Sequence, residues 1–273
     1  MPLVSTDWVE KNINNIKIID CSWHMPNVKR DGYKEYLEEH IENAIFFDLD
    51  KNSDQLTDLP HMLTTSSDWE KIVSKMGILK DDKIVIYDNS DVLSACRCWY
   101  NFIYFGHNEK IVHVLNGGLK KWKSENKTTT NIIPKVNPTK YTSSERKNLV
   151  KNITQINENI ISNKFKVIDA RSKERFEGKV AEPRKGLRSG SIPKSMCIPF
   201  GNLINDDNTF KNEDEILNVF NNTLGDEITT NIVFSCGSGV TASVLALAYS
   251  LINNKYMPTI YDGSWAEYGK IKI

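Results

Sequence analysis

The sequence predicts an α/β protein made of two tandem copies of one domain, each an open parallel β-sheet flanked by helices. Three observations predict it. Short β-rich runs alternate with amphipathic helical stretches, the pattern of a parallel sheet covered by helices. Blocks of the first half recur in the second in the same order, at an offset of 149 residues near the start (Asp20 to Asp169) and 146 near the end (Gly117 to Gly263). A segment rich in Thr, Asn, Ser, Pro and Lys separates the halves. The expected boundaries are a first domain at 1–126, a linker at 127–147 and a second domain at 148–273.

In chain order, Ile16-Lys17-Ile18-Ile19-Asp20 reads as a strand, with Phe165-Lys166-Val167-Ile168-Asp169 as its counterpart. The run from Glu39 to Phe47 corresponds to Gly190 to Phe200. Lys83-Ile84-Val85-Ile86-Tyr87-Asp88 matches Asn231-Ile232-Val233-Phe234-Ser235-Cys236. Val114-Leu115-Asn116-Gly117-Gly118-Leu119 matches Ile260-Tyr261-Asp262-Gly263-Ser264-Trp265. A helix is expected from Ser67 to Met76, closed by Gly77, with Ser66 or Ser67 as N-cap and Glu70 in the capping box. Another is expected from Asn212 to Leu224, closed by Gly225, with Ile216, Leu217, Val219 and Phe220 on its apolar side.

The 273 residues are 40% apolar and 26% charged, with a formal net charge of zero, the composition of a globular protein with ample core. Neutrality gives no sign of nucleic-acid or acidic-membrane binding. The N-terminal residues lack a signal-peptide core, and no apolar run approaches the roughly 20 residues of a membrane span. Cys21, Cys96, Cys98, Cys197 and Cys236 are scattered, without the spacing of a zinc site or a disulfide framework. The expectation is a soluble, cytoplasmic protein with reduced thiols.

Cys236 is the residue most suggestive of chemistry. It ends a β-branched and aromatic strand, passes Gly237 and Gly239, and enters an apolar helix. That arrangement aims loop N–H groups at the sulfur and sets it beside the positive end of a helix dipole, favouring thiolate over thiol. The sulfur is then a nucleophile, or a carrier for an atom needing several hydrogen bonds. The first half has Asp88 at this position, followed by an acidic loop, Asn89 to Ser94, that lacks glycine. Such a loop opposes a thiolate or an incoming anion, so the chemistry belongs to the second copy.

Among cysteine chemistries, phosphatase is disfavoured. Tyrosine phosphatases need an arginine six residues beyond the cysteine, where this chain has Ala242, and no cation lies between Cys236 and Lys255. A thiol protease needs an imidazole base, and all five histidines lie in the first half. The neutral loop Cys236-Gly237-Ser238-Gly239-Val240-Thr241 suits a persulfide whose outer sulfur accepts loop N–H bonds.

Over nearly the whole chain, from Thr6 to Tyr268, the sequence resembles the two-domain rhodanese superfamily, in its 3-mercaptopyruvate sulfurtransferase branch. The resemblance is carried by Cys236-Gly-Ser-Gly-Val-Thr-Ala242, Tyr261-Asp-Gly-Ser-Trp265, Phe46-Phe47-Asp48-Leu49-Asp50, Pro60-His61-Met62-Leu63 and Leu93-Ser94-Ala95. Gly-Ser after the cysteine marks the mercaptopyruvate branch, whereas thiosulfate-preferring members carry Arg-Lys there. The resemblance implies that Arg175 and Arg184 hold the donor carboxylate and keto oxygen, and that the Gly237, Gly239, Val240 and Thr241 loop cradles the sulfur. It implies a Ser238–His61–Asp50 relay assisting proton transfer, which would bring the first domain to the cleft. It further implies a small-molecule sulfur donor, a thiol acceptor such as thioredoxin, or cyanide, and no metal or organic cofactor. Thiosulfate sulfurtransfer and a persulfide relay are the alternatives. One departure is Ser191, where the family commonly has histidine; the first copy keeps it as His40, and the loss is expected to affect packing more than turnover.

Overall fold

The computed structural model describes residues 1–225 and 228–271. The chain divides into two compact units. The first comprises Met1–Gln55, Leu63–Arg146 and Asp206–Thr209; the second takes Leu56–Met62, Lys147–Asn205 and the described chain from Phe210 onward. His61 thus belongs to the second unit although it lies early in sequence.

The first unit runs β1 (Leu3–Val4), α1 (Thr6–Asn12), β2 (Lys17–Asp20), α2 (Gly32–Glu38), β3 (His40–Ile41) and β4 (Ala44–Phe46). It continues through α3 (Ser66–Lys75), β5 (Ile84–Tyr87), α4 (Ala95–Tyr104), β6 (Val112–Leu115), α5 (Gly118–Ser124) and β7 (Thr129–Thr130). Its five-stranded sheet has the order β1-β6-β5-β2-β4, with every pairing parallel. Strands β3 and β7 form a separate antiparallel pair.

The second unit holds β8 (Val150–Lys151), α6 (Ile153–Ser162), β9 (Lys166–Asp169), α7 (Lys173–Phe176) and β10 (Met196–Cys197). It ends with α8 (Glu213–Leu224), β11 (Ile232–Ser235), α9 (Val240–Ile252), β12 (Ile260–Tyr261) and α10 (Ser264–Tyr268). Its parallel sheet reads β10-β9-β11-β12-β8, the same order as the first sheet when read from the other edge. The repeat seen in the sequence is therefore a repeat of topology. Valine, isoleucine and aromatic residues fill the strands because helices cover both faces, and β5 and β11 are buried at every position.

The helix ends follow local chemistry. Helix α8 is closed as expected by Gly225, and Asn212 caps its start in a capping box with Glu215. Helix α3 differs: Thr65, not Ser66 or Ser67, is the N-cap and accepts from Asp68 N. Glu70 is two residues too late for the box, and its carboxylate instead accepts from the backbone and hydroxyl of Ser143. His40 is buried, stacked on Tyr36 at 4.2 Å between ring centroids, with Nδ1 2.6 Å from the Tyr36 carbonyl oxygen. Among the described residues, no helix is long and apolar enough to cross a membrane.

Candidate active site

In the second sheet, Ser235 at the end of β11 pairs in register with Asp169 at the end of β9. The chain leaves β9 towards β10 on one side and leaves β11 towards β12 on the other. The carboxyl ends of β9 and β11 therefore flank the point where strand order reverses, the usual crevice of open α/β sheets. Cys236 is the first residue beyond β11 and is 2% exposed. Its carbonyl accepts from Trp265 N at 2.9 Å, and the Gly237 carbonyl accepts from Ala266 N at 2.9 Å. Its own N–H donates to Ser264 Oγ at 3.2 Å.

Ser264 belongs to a sequence motif in which it carried no expected role. It sits at φ 49°, a left-handed conformation that costs a serine roughly 1–2 kcal/mol. The hydroxyl offsets this by accepting from Cys236 N while donating to the Tyr261 carbonyl at 2.8 Å. The corresponding first-copy residue is Gly118, at φ 57°. At the other end of the loop, Gly239 at φ 80° turns the chain into α9, and no side chain caps that helix. The first N–H groups of a helix lack intrahelical acceptors and carry its positive dipole end. Val240 opens α9 and is buried; Thr241 follows half-buried.

Two guanidiniums converge on this loop. A methyl group placed on Gly237 would lie 3.4 Å from both Arg175 Nη2 and Arg184 Nη1. Arg184 Nη2 also donates to Ser238 Oγ at 3.3 Å. Arg175 projects from the short helix α7, whose N-cap Ser172 accepts from Arg175 N. Behind Arg175 lies a pair of residues that sequence reasoning did not single out. Glu182, 1% exposed at its side chain, accepts from Arg175 Nη2 at 2.6 Å and from Arg171 Nη1 at 2.8 Å. Arg171 is fully buried, grips both Asp169 carboxylate oxygens, and donates to the Gly190 carbonyl at 2.8 Å. Burial works against its charge, yet hydrogen bonds and attraction from Asp169 and Glu182 more than offset that and raise its pKa. Its guanidinium carbon lies 4.4 Å from the Trp265 ring centroid, and that of Arg188 lies 4.6 Å away.

His61 and Ser238 meet: Nδ1 is 2.9 Å from Oγ, and both side chains are buried. His61 itself sits at φ 61°. Asp50 belongs to the first unit, where its Oδ2 accepts from the Trp23 indole N–H at 2.9 Å. In that unit Asp88 stands where Cys236 stands in the second. Its carboxylate accepts from Ser90 N at 3.1 Å and from Ala95 N at 2.6 Å. Burial pushes its pKa up to about 7, and nearby Asp20, also buried, is raised to about 6. Burial likewise pushes Cys197 up to about 12 and Cys21 and Cys96 well above the ordinary thiol range, so these three stay protonated at neutral pH.

A model of the rhodanese-like domain matches residues 5–125 and again residues 152–270. The chain belongs to the rhodanese family. A thiosulfate/3-mercaptopyruvate sulfurtransferase of Arabidopsis thaliana is 38% identical over 292 residues, covering 98% of this chain and 76% of that protein. A thiosulfate sulfurtransferase of Bos taurus is 34% identical over 275 residues, covering 97% and 91%. The crystal structure of SseA from Escherichia coli, a 3-mercaptopyruvate sulfotransferase, aligns with a TM-score of 0.85 at 30% identity, covering 98% of this chain and all of that one. This tandem rhodanese is a sulfurtransferase of the mercaptopyruvate and thiosulfate group. The same rhodanese sheet thus occurs twice, with a cysteine at the end of its central strand in one copy and an aspartate in the other.

Proposed function

We propose that this protein is a 3-mercaptopyruvate sulfurtransferase working through a Cys236 persulfide. The observation that carries the reading is the convergence of Arg175 and Arg184 on Gly237, beside the cysteine and within a loop that has no charge of its own. Two guanidiniums at one point suit a planar carboxylate and its neighbouring keto oxygen. The serine and glycine after Cys236 leave the loop without the paired cations that thiosulfate would favour.

The reaction is a double displacement. The Cys236 thiolate attacks the donor sulfur, forming an S–S bond while the C–S bond breaks. The electron pair of the broken bond goes to the donor carbon, giving pyruvate enolate. The proton released from the donor thiol then neutralises the enolate, directly, through solvent or through Ser238 and its partner His61. Pyruvate leaves and a deprotonated persulfide remains, its outer sulfur facing the loop N–H groups from Gly237 to Thr241. A thiol acceptor such as thioredoxin, or cyanide, removes that sulfur and restores the thiolate.

Intact mass after incubation with each donor tests the reading. The expected result is a gain of one sulfur atom with mercaptopyruvate, reversed by reductant and absent in Cys236→Ser. Persistent pyruvate release by Cys236→Ser sinks the assignment. A higher kcat/KM with thiosulfate than with mercaptopyruvate, using one acceptor, transfers it to the thiosulfate branch.

A further inference from the structure

We infer that the amino-terminal edge of the second sheet binds a chain of phosphoryl groups, at a site separate from the cysteine loop. The sheet is parallel, so the segments that enter its strands gather at one edge, opposite the edge that carries Cys236. There Lys164 leads towards β9, Asn231 into β11, Lys255 towards β12 and Asn148 towards β8. Together with Lys151 of β8 they border a cavity of about 370 Å³. A smaller cavity of about 130 Å³ shares Lys164 and Asn231 with it and adds Lys166.

Four lysines thus line adjoining hollows, and no residue lining either one is acidic. Among the described residues, none of the four ammonium groups meets a carboxylate. Elsewhere exposed lysines stand beside acids, as Lys71 does beside Asp68 and Lys179 beside Glu177. The chain as a whole is neutral, so this excess of positive charge is local. Lys151 rests over the Phe165 ring, 5.8 Å from its centroid, which keeps its side chain at the groove. The side-chain amides of Asn148 and Asn231 and the hydroxyl of Thr230 make no hydrogen bond among the described residues, so neutral donors stand between the charges. A hollow lined by one sign of charge focuses its field on an incoming anion. Each exposed lysine alone holds a single anion weakly, and only linked charges engage several lysines at once. A phosphoryl chain has that form, whether carried by inorganic polyphosphate or by a nucleoside triphosphate.

Calorimetric titration of the full chain with tripolyphosphate, ATP and sulfate tests the site, in wild type and in the double variant Lys164→Gln, Lys255→Gln. Tripolyphosphate and ATP are expected to saturate at one per chain, with sulfate about tenfold weaker. The double variant is expected to lose about tenfold in affinity for both phosphoryl chains. Both lysines are exposed and lie at the other end of the sheet from Cys236, so the melting temperature stays at its wild-type value. Tighter binding of ATP identifies a nucleotide ligand, and tighter binding of tripolyphosphate an inorganic chain. No saturable binding, sulfate as tight as tripolyphosphate, or an unchanged affinity in the double variant overturns the inference. Should the variant fold poorly, ionic strength gives the answer in the wild type. Affinity for tripolyphosphate falls steeply with added salt if the lysines bind it, and a flat response refutes the site.

Discussion

Gly237→Ala separates folding from chemistry at the site. The backbone there is not left-handed, so alanine is tolerated without strain, and the methyl meets only the ends of two long side chains at 3.4 Å. On stability alone, replacing glycine at a compatible position stabilises by about 0.4–1 kcal/mol through the unfolded chain. On function, the methyl occupies the space between the loop and the two guanidiniums where the donor carboxylate is proposed to bind. Losing one charge-assisted hydrogen bond there costs about 1.5–3 kcal/mol, or roughly 10- to 150-fold in kcat/KM for mercaptopyruvate. The assay pairs thermal melting with steady-state pyruvate release. Gly239→Ala is the contrast: φ is 80° at the start of α9, so strain of about 1–2 kcal/mol should lower the melting temperature by several degrees. Wild-type kcat/KM in Gly237→Ala, or a melting temperature that falls as far as in Gly239→Ala, refutes the placement of the donor between the arginines and the loop.

Three further outcomes are expected. Asp88 has a folded pKa raised to about 7 by burial, so the folded state binds the extra proton between about pH 4 and 7 and loses stability as pH rises through that window. Asp88→Asn removes that group; its unfolding free energy, measured in urea from pH 5 to 8, should lose a few kcal/mol less than wild type, and parallel curves would count against it. Some slope should persist in the variant, because Asp20 is raised to about 6 with the same sign. His61→Ala removes the partner of Ser238 and should lower kcat about 100-fold with less change in donor KM; an unchanged kcat in stopped-flow or steady-state assays excludes a proton-transfer role. Asn212→Ala breaks the capping box of α8, far in sequence from the site, and should cost about 1 kcal/mol in denaturant melts with turnover intact.

The fold was legible because its signals are local and repeated. β-Branched runs, helix-closing glycines and a nearly constant offset each carry their meaning in a few adjacent residues. The place of Cys236 between a strand and a helix was legible for the same reason, since a strand, a cysteine and two glycines are contiguous. Glu182 and Arg171 were not. A glutamate in a polar, glycine-containing stretch reads as solvated, and only the fold reveals that its side chain is buried against two arginines. Ser264 was hidden differently, because its left-handed backbone is a conformation the sequence would assign to glycine, as at Gly118 in the first copy. The cap of α3 was misplaced by one or two residues because Thr65, Ser66 and Ser67 are all competent caps, and the choice fell to the register of the helix.

The two copies carry different side chains on the same backbone frame. In the first, the Asp88 carbonyl accepts from Leu119 N at 2.9 Å, just as the Cys236 carbonyl accepts from Trp265 N in the second. The backbone frame is therefore held alike. The side chains then diverge. Asp88 turns its carboxyl group onto Ser90 N and Ala95 N, so the first N–H of α4 is taken by an acceptor the chain supplies itself. Cys236 supplies no such acceptor group, and Gly239 leaves the start of α9 without a side-chain cap. A persulfide can then take N–H groups of the kind that Asp88 takes in the first copy. On this argument Asp88 occupies in the first copy donors of the kind the proposed persulfide would use, and Asp88→Cys alone is not expected to give sulfur loading. Asp91, and the absence of counterparts to Gly237 and Gly239, would have to change as well.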